Sequence, residues 1–123
     1  MVRVLFVCLG NICRSPMAEG LFLHYIKEEG LQDKIRVDSA GTGGWHVGER
    51  PDARMQATAK RHNVHLPSRA RKTRVEDFAE YDYILAMDES NLEDLKRLAD
   101  GSINSQAQLF KMRYFDDDAP DTD

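Results

Sequence analysis

The sequence predicts an α/β domain built on a parallel β-sheet. Three observations carry that expectation. Residues Val2 to Val7 are β-branched and nearly all apolar, as a strand covered on both faces is. A tight loop follows, Cys8 to Ser15, and Pro16 then stands at a helix entry, where its missing N–H is no loss. The next strand comes after that helix, and strand, helix, strand in this order imply a right-handed crossover with parallel pairing.

The elements follow in order. Ser15 reads as the N-cap of a helix from Pro16 to Glu29, and Gly30 as its C′ stop. Met17, Leu21 and Tyr25 fall on one face of that helix, with Phe22 and Ile26 beside it. His24 has no His, Cys or carboxylate at metal-ligand spacing and reads as a surface residue. Ile35 to Ser39 is the second strand, followed by a loop with Gly41, Gly43 and Gly44. Trp45 stands in that loop, either capping a small satellite core or forming a wall on which a ring can stack. Pro51 to His62 is a further helix closed by Asn63, with Met55 and Ala59 on one face.

His65 to Arg74 is the one basic cluster, either a solvated loop or a patch that steers anions. Val75 to Tyr81 is a short helix anchored by Phe78, and Tyr83 to Met87 is the third strand. Asp88, Glu89, Ser90 and Asn91 cap a helix to Leu98, with Leu92, Leu95 and Leu98 on one side. Gln108 to Phe110 is the fourth strand. The aspartates after Tyr114 read as a mobile acidic tail without EF-hand spacing.

Composition narrows the function. At 123 residues the chain suits one domain with a modest core, and a net charge of −4 gives no basic excess for nucleic acid. No apolar run approaches membrane length, and the N-terminus lacks a signal peptide's charged lead. The two cysteines both lie in one loop, so they staple no fold. Cys8 is useful only as a free thiol, which points to a reducing cytoplasm. A monomer with neither a nucleic-acid nor a membrane partner is expected.

The first loop carries the chemistry. Cys8 and Arg14 stand at its two ends. If the loop curls, the amides of Leu9, Gly10, Asn11, Ile12, Cys13 and Arg14 line one concave space that suits a phosphate. Arg14 can hold two phosphate oxygens with its planar fork. Amides, helix terminus and Arg14 all favour a thiolate at Cys8, and a thiolate under a tetrahedral oxyanion is set for in-line attack on phosphorus. Gly10 permits the turn, and Asn11 tolerates a positive φ. Ser15 is placed to donate to the Cys8 sulfur and improve it as a leaving group. The plainer reading is a buried Cys followed by a common Arg-Ser-Pro helix start. A strand-to-helix junction is where phosphate sites of such folds lie, which favours the chemical one.

Val7 to Glu19, VCLGNICRSPMAE, resembles the signature of the low-molecular-weight protein tyrosine phosphatases. The resemblance continues in Asp38 to Thr42, in Trp45 to Gly48 and in Asp82 to Leu92. It implies a flavodoxin-like, doubly wound four-stranded parallel sheet of order 2-1-3-4 with helices on both faces. It further implies phosphotyrosine or aryl phosphate hydrolysis through a phosphocysteine, without metal or cofactor. Cys8, Arg14 and Ser15 are then catalytic, Trp45 is the substrate wall, and Ser39 braces the phosphate loop. Asp88 places an active-site residue. Local readings of Ser39 as an ST-turn and of Asp88 as a helix cap stand beside those roles.

The chain departs from the family in two places. Animal members carry a histidine where Ser68 aligns. The family's Asp-Pro-Tyr motif, with its general acid, has no match, so none of Asp116, Asp117, Asp118, Asp121 and Asp123 is given that role. Residues 1–123 are expected to form one phosphatase domain without the acid loop and last helix, with one sheet face thinly covered. Related readings are an arginine phosphatase, although those typically carry Thr where Ile12 stands, and a thioredoxin-coupled arsenate reductase. The latter needs a cysteine pair that the chain lacks after Cys13. A poorly catalytic phosphate-binding module is the reading from another class. Cys13 is either a small filler or the partner that captures an oxidised Cys8 as a disulfide.

Overall fold

The computed structural model describes residues 1–9, 14–43, 47–64, 66, 69–99 and 107–111. Strand β1 (Val2–Cys8) is central, and its residues Val4 to Cys8 are buried. It pairs in parallel with β2 (Ile35–Gly41) on one side and β3 (Tyr83–Ala86) on the other. β4 (Gln108–Lys111) joins the outer edge of β3, also in parallel, which gives the expected order β2-β1-β3-β4. Because side chains alternate along a strand, β1 feeds two cores. Leu5 and Val7 join Ala40, Ile84 and Ala86 under Phe78, Leu92 and Leu95. Val4, Phe6 and Cys8 join Met87 on the opposite face, against Ala18 and Phe22.

Helix α1 (Arg14–Glu28) begins earlier than its cap chemistry suggests. Ser15 is therefore inside the helix and not its N-cap. Pro16 is still tolerated there, because the first turn's N–H groups have no helical partner. Gly30 ends α1 as expected, at φ +69°, with Leu31 N–H donating to Ile26 C=O at 2.9 Å. The face that α1 buries is not the expected one. Ser15, Pro16, Glu19, Gly20 and Ile26 are buried, whereas Leu21 is 50 % and Tyr25 55 % exposed. Small residues let that side approach the sheet closely, and Leu21 and Tyr25 instead border an apolar groove shared with Phe6, Met17 and Met55. His24 sits half-exposed, 3.0 Å from Glu28 on the next turn.

Helix α2 (Ala53–Arg61) is capped by Asp52, whose carboxylate accepts from the Arg54 and Met55 amides. Asn63, at φ +60°, closes it, and Ala59 packs with Val64, Leu66 and Met55. Helix α3 is one short turn (Asp77–Glu80), anchored by a fully buried Phe78. Helix α4 (Glu89–Ala99) buries Leu92 and Leu95. On the α1 side of the sheet, Tyr83 of β3 is 38 % exposed and its ring lies beside the tilted ring of Phe110. Among the described residues no helix is long and apolar enough to cross a membrane.

Candidate active site

The parallel pairing brings the C-terminal ends of β1, β2 and β3 to one edge. Cys8 ends β1, Ser39 lies near the end of β2, and Asp88 follows β3. Helix α1 starts at the same edge with Arg14. The sheet thus gathers Cys8, Arg14, Ser15, Ser39 and Asp88 at one end. Gly10, Asn11, Ile12, Cys13, Trp45, Ser68 and Asp116 to Asp123 lie outside the described residues.

Cys8 is buried, and its Sγ lies 3.0 Å from Ser15 Oγ. Ser15 Oγ also reaches the Ala40 carbonyl at 3.4 Å. A carbonyl only accepts, so among the described residues the single hydroxyl proton has two destinations, the Cys8 sulfur and the Ala40 carbonyl. With Cys8 as a thiol, the thiol donates to Ser15 and Ser15 donates to Ala40. With Cys8 as a thiolate, the hydroxyl must turn to the sulfur and give up the longer bond. Ser15 is fully buried, so its hydroxyl is shielded from bulk solvent.

Arg14 donates from Nη2 to Asp88 Oδ2 at 2.8 Å. The arginine side chain is 39 % exposed and the aspartate 6 %, so the carboxylate holds the guanidinium from beneath and leaves its outer side open. This is the only side-chain hydrogen bond of Arg14 among the described residues. Asp88 has a second duty. Its Oδ1 accepts from the Asn91 amide at 2.8 Å and its C=O from the Leu92 amide at 3.1 Å, which caps α4. Each carboxylate oxygen thus has its own partner, Arg14 on Oδ2 and the start of α4 on Oδ1. The buried Asn91 side chain also faces Asp88, and only with its amide nitrogen inward does it bond, 3.0 Å from Oδ1 and 3.2 Å from Oδ2.

Ser39 Oγ donates to Glu19 Oε1 at 2.5 Å, both groups being buried. This ties β2 to α1 one turn past the catalytic loop. Glu19 is a residue that sequence reasoning quoted within the signature without giving it a role. The signal was present: Glu19 stands four positions after Ser15, so a charged residue shares the helix face that carries Ser15. The strand ends are tied to their neighbours as well. Thr42 N–H donates to Cys8 C=O at 2.9 Å and Gly43 N–H to Leu9 C=O at 2.8 Å.

The basic stretch is neither merely solvated nor a free steering patch at Arg71. That guanidinium donates to Asp38 at 3.1 Å and to both oxygens of Asp77 at 3.0 and 3.3 Å. The Tyr81 hydroxyl donates to the same Asp38 oxygen at 3.3 Å. Burial pushes the Tyr81 phenol pKa up, and the negative charge of Asp38 adds to that.

Comparison with known proteins agrees with this geometry. The model of the family "Low molecular weight phosphotyrosine protein phosphatase" matches residues 3–123. The Rattus norvegicus protein of that name is 48 % identical over 113 residues, covering 92 % of this chain and 72 % of that protein. A protein tyrosine phosphatase from Entamoeba histolytica, solved as a product-state mimic, superposes with a TM-score of 0.88. It is 38 % identical, over 100 % of this chain and 78 % of that one. A Drosophila arginine phosphatase superposes with a TM-score of 0.86 at 39 % identity, over 91 % of this chain and 71 % of that one. With a signature that falls on the strand-to-helix junction and a family match across nearly its whole length, the chain belongs to the low molecular weight phosphotyrosine protein phosphatase family.

Proposed function

We propose that the protein hydrolyses phosphotyrosine, in proteins and in simpler aryl phosphates, through a phosphocysteine at Cys8. The observation that carries this reading is the 3.0 Å approach of Ser15 Oγ to a buried Cys8 Sγ at the start of α1, with Arg14 one residue before it. In the first step Cys8 Sγ attacks phosphorus. The sulfur–phosphorus bond forms as the bond to the phenolic oxygen breaks, and the departing phenolate takes up a proton from solvent. In the second step a water oxygen attacks phosphorus, the sulfur leaves as thiolate, and phosphate is released. Ser15 has its hydroxyl proton available for that leaving thiolate, which lowers the barrier of the second step.

Arg14 and the amides of Leu9 to Arg14 hold the three equatorial oxygens through both steps. Asp88 fixes one end of the Arg14 fork, so less side-chain freedom is lost when phosphate binds. Ser39 and Glu19 stiffen the helix and strand on which Cys8 and Ser15 stand. Trp45 serves as the wall for the phenyl ring. One copy of the chain supplies every group named, and a free thiol nucleophile suits a reducing cytoplasm.

The likeness to an arginine phosphatase supplies one competing substrate, phosphoarginine, on the same loop. The test compares turnover of phosphotyrosine and phosphoarginine peptides by the unmodified protein and by Cys8→Ser. The reading expects phosphotyrosine to be the better substrate and Cys8→Ser to lose at least about 10³-fold in turnover, as removal of a covalent nucleophile does. Preference for phosphoarginine would move the substrate while keeping the chemistry. Undiminished turnover by Cys8→Ser would overturn the mechanism.

A further inference from the structure

The segment from Arg69 to Thr73 lies across the catalytic edge without belonging to a helix or to one of the strands. Its backbone is bonded on two sides. On one side Gly41 N–H donates to Arg71 C=O at 2.8 Å, and Thr73 N–H returns a bond to Gly41 C=O at 2.8 Å. The Thr73 hydroxyl adds a third, to Gly41 C=O at 2.9 Å. The next residues of that strand end, Thr42 and Gly43, are the ones bonded to the carbonyls of Cys8 and Leu9. On the other side Gly48 N–H donates to Ala70 C=O and Ala70 N–H to Glu49 C=O, both at 2.7 Å. Gly48 has φ +88°, a backbone shape that glycine alone adopts readily, so this turn is set by the chain at that point. The Arg69 side chain reaches Gly48 C=O at 3.3 Å.

The segment therefore spans two stretches that the sequence separates. One, 41–43, is hydrogen-bonded to the start of the catalytic loop. The other, 48–49, follows directly on the loop that carries Trp45. Beside these backbone bonds, the Arg71 side chain anchors the segment to β2 and α3. It bonds Asp38 on β2 and Asp77 on α3, and Asp77 is fully buried. Asp77 also accepts from the Arg74 amide at 2.8 Å. A carboxylate with no solvent contact needs partners at fixed positions, and a planar guanidinium reaching both aspartates gives a defined geometry where lysine would not.

We infer that residues 69–73 form a strap that sets the distance between the phosphate loop and the aryl-binding loop, and that Arg71 is the positioning residue anchoring it. The described side-chain bonds of Arg71 go to Asp38, Asp77 and the Lys72 carbonyl. Arg71 acts through Gly41 to Gly43 on one side and through Gly48 and Glu49 on the other. A ligand that uses only the phosphate loop is indifferent to the spacing. A ligand that must reach phosphate loop and wall at once depends on it. Arg71 thereby contributes to selectivity for aryl phosphates over smaller ones.

The inference rests on the phosphatase reading, and its test separates the two. KM and kcat for phosphotyrosine and the inhibition constant of inorganic phosphate are measured for the unmodified protein, Arg71→Gln and Arg71→Lys. Arg71→Gln should raise KM for phosphotyrosine about 5- to 10-fold, on the scale expected when a bound ring is mispositioned, with phosphate inhibition changed less than about 2-fold. Arg71→Lys keeps a charge opposite Asp77 but spans one carboxylate only, so it should fall between. If Arg71→Gln does not fold, the ratio of the two constants in Arg71→Lys decides. A ratio equal to that of the unmodified protein, with only thermal stability lowered, would make Arg71 a plain structural residue and overturn the inference. An equal rise in both constants would overturn it too, since the strap would then act on the phosphate loop alone. Absence of phosphotyrosine turnover in the unmodified protein would instead refute the phosphatase reading.

Discussion

Arg14 and Arg71 face aspartates at the same end of the sheet and are put to opposite uses. Arg71 donates to two carboxylates, one of them fully buried, and its side chain is 26 % exposed. Burial disfavours its charge, but Asp77 and Asp38 outweigh burial and hold its pKa above the ordinary arginine range. Among the described residues Arg14 meets one carboxylate, through one nitrogen, and its side chain is 39 % exposed. An arginine whose donors are consumed by protein fixes the fold. An arginine held at one corner keeps planar donors for a ligand that arrives later. The aspartates differ in the same sense: Asp77 faces Arg71 with both oxygens, while Asp88 divides its two between Arg14 and the start of α4.

Substitutions can break this contrast. The largest effect should come from Arg14→Lys. It keeps the charge but loses the fork, so kcat/KM for aryl phosphate should fall about 10²- to 10³-fold while the urea midpoint barely moves. A large drop in stability with activity retained would reverse the assignment of the two arginines. Asp77→Ala should do the opposite. It leaves a half-buried guanidinium short of its main partner, and breaking such a pair costs about 3–5 kcal/mol. Chemical denaturation reads this directly, and a change below about 1 kcal/mol would show the network to be ornamental.

Asp88→Asn should lie between the two. Asparagine can still cap α4, so stability should hold, while kcat/KM drops about 10-fold as Arg14 loses its charged anchor. Equal loss with Asp88→Ser, another capping residue, would support the anchor role, and full activity in both variants would end it.

The smallest effect concerns Tyr81. Its phenol loses a proton less readily in the folded state than in the unfolded one. Between those two pKa values the folded state holds the extra proton, so stability is intact below the ordinary tyrosine value of about 10 and falls as pH rises past it. Tyr81→Phe should cost about 0.5–1 kcal/mol at neutral pH through the lost bond to Asp38. It should also flatten the alkaline limb of the stability curve. Parallel alkaline limbs for the two proteins would remove Tyr81 from the account.

The parts of the molecule that were legible in the sequence are those encoded locally. Cys8, Arg14 and Ser15 lie within one short loop, and the apolar run before them forces a central strand. Strand order followed from that run and from the resemblance. Asp88 stood out in the sequence because a strand end and a capping sequence coincide there, and both of its described bonds lie at that junction. The Arg71 network was not legible, because Asp38 is 33 positions away and the pairing exists only once β2 and the strap are side by side. The buried face of α1 was misread for a related reason. Hydrophobic spacing selects Met17, Leu21 and Tyr25, but helix-to-sheet approach selects small residues such as Gly20 and polar ones with partners, such as Glu19 and Ser15. The Ser15 cap was misplaced because its hydroxyl is taken up by Cys8 and Ala40.

The central claim is that Cys8 becomes phosphorylated in turnover. Mixing the protein with a fast aryl phosphate, quenching in acid within the first turnover and mapping the phosphoryl group by peptide mass spectrometry tests it directly. The account predicts a phosphoryl adduct on the peptide bearing Cys8, located on its sulfur, and none in Cys8→Ser. Steady turnover with no adduct at Cys8, or an adduct on any other residue, would contradict it.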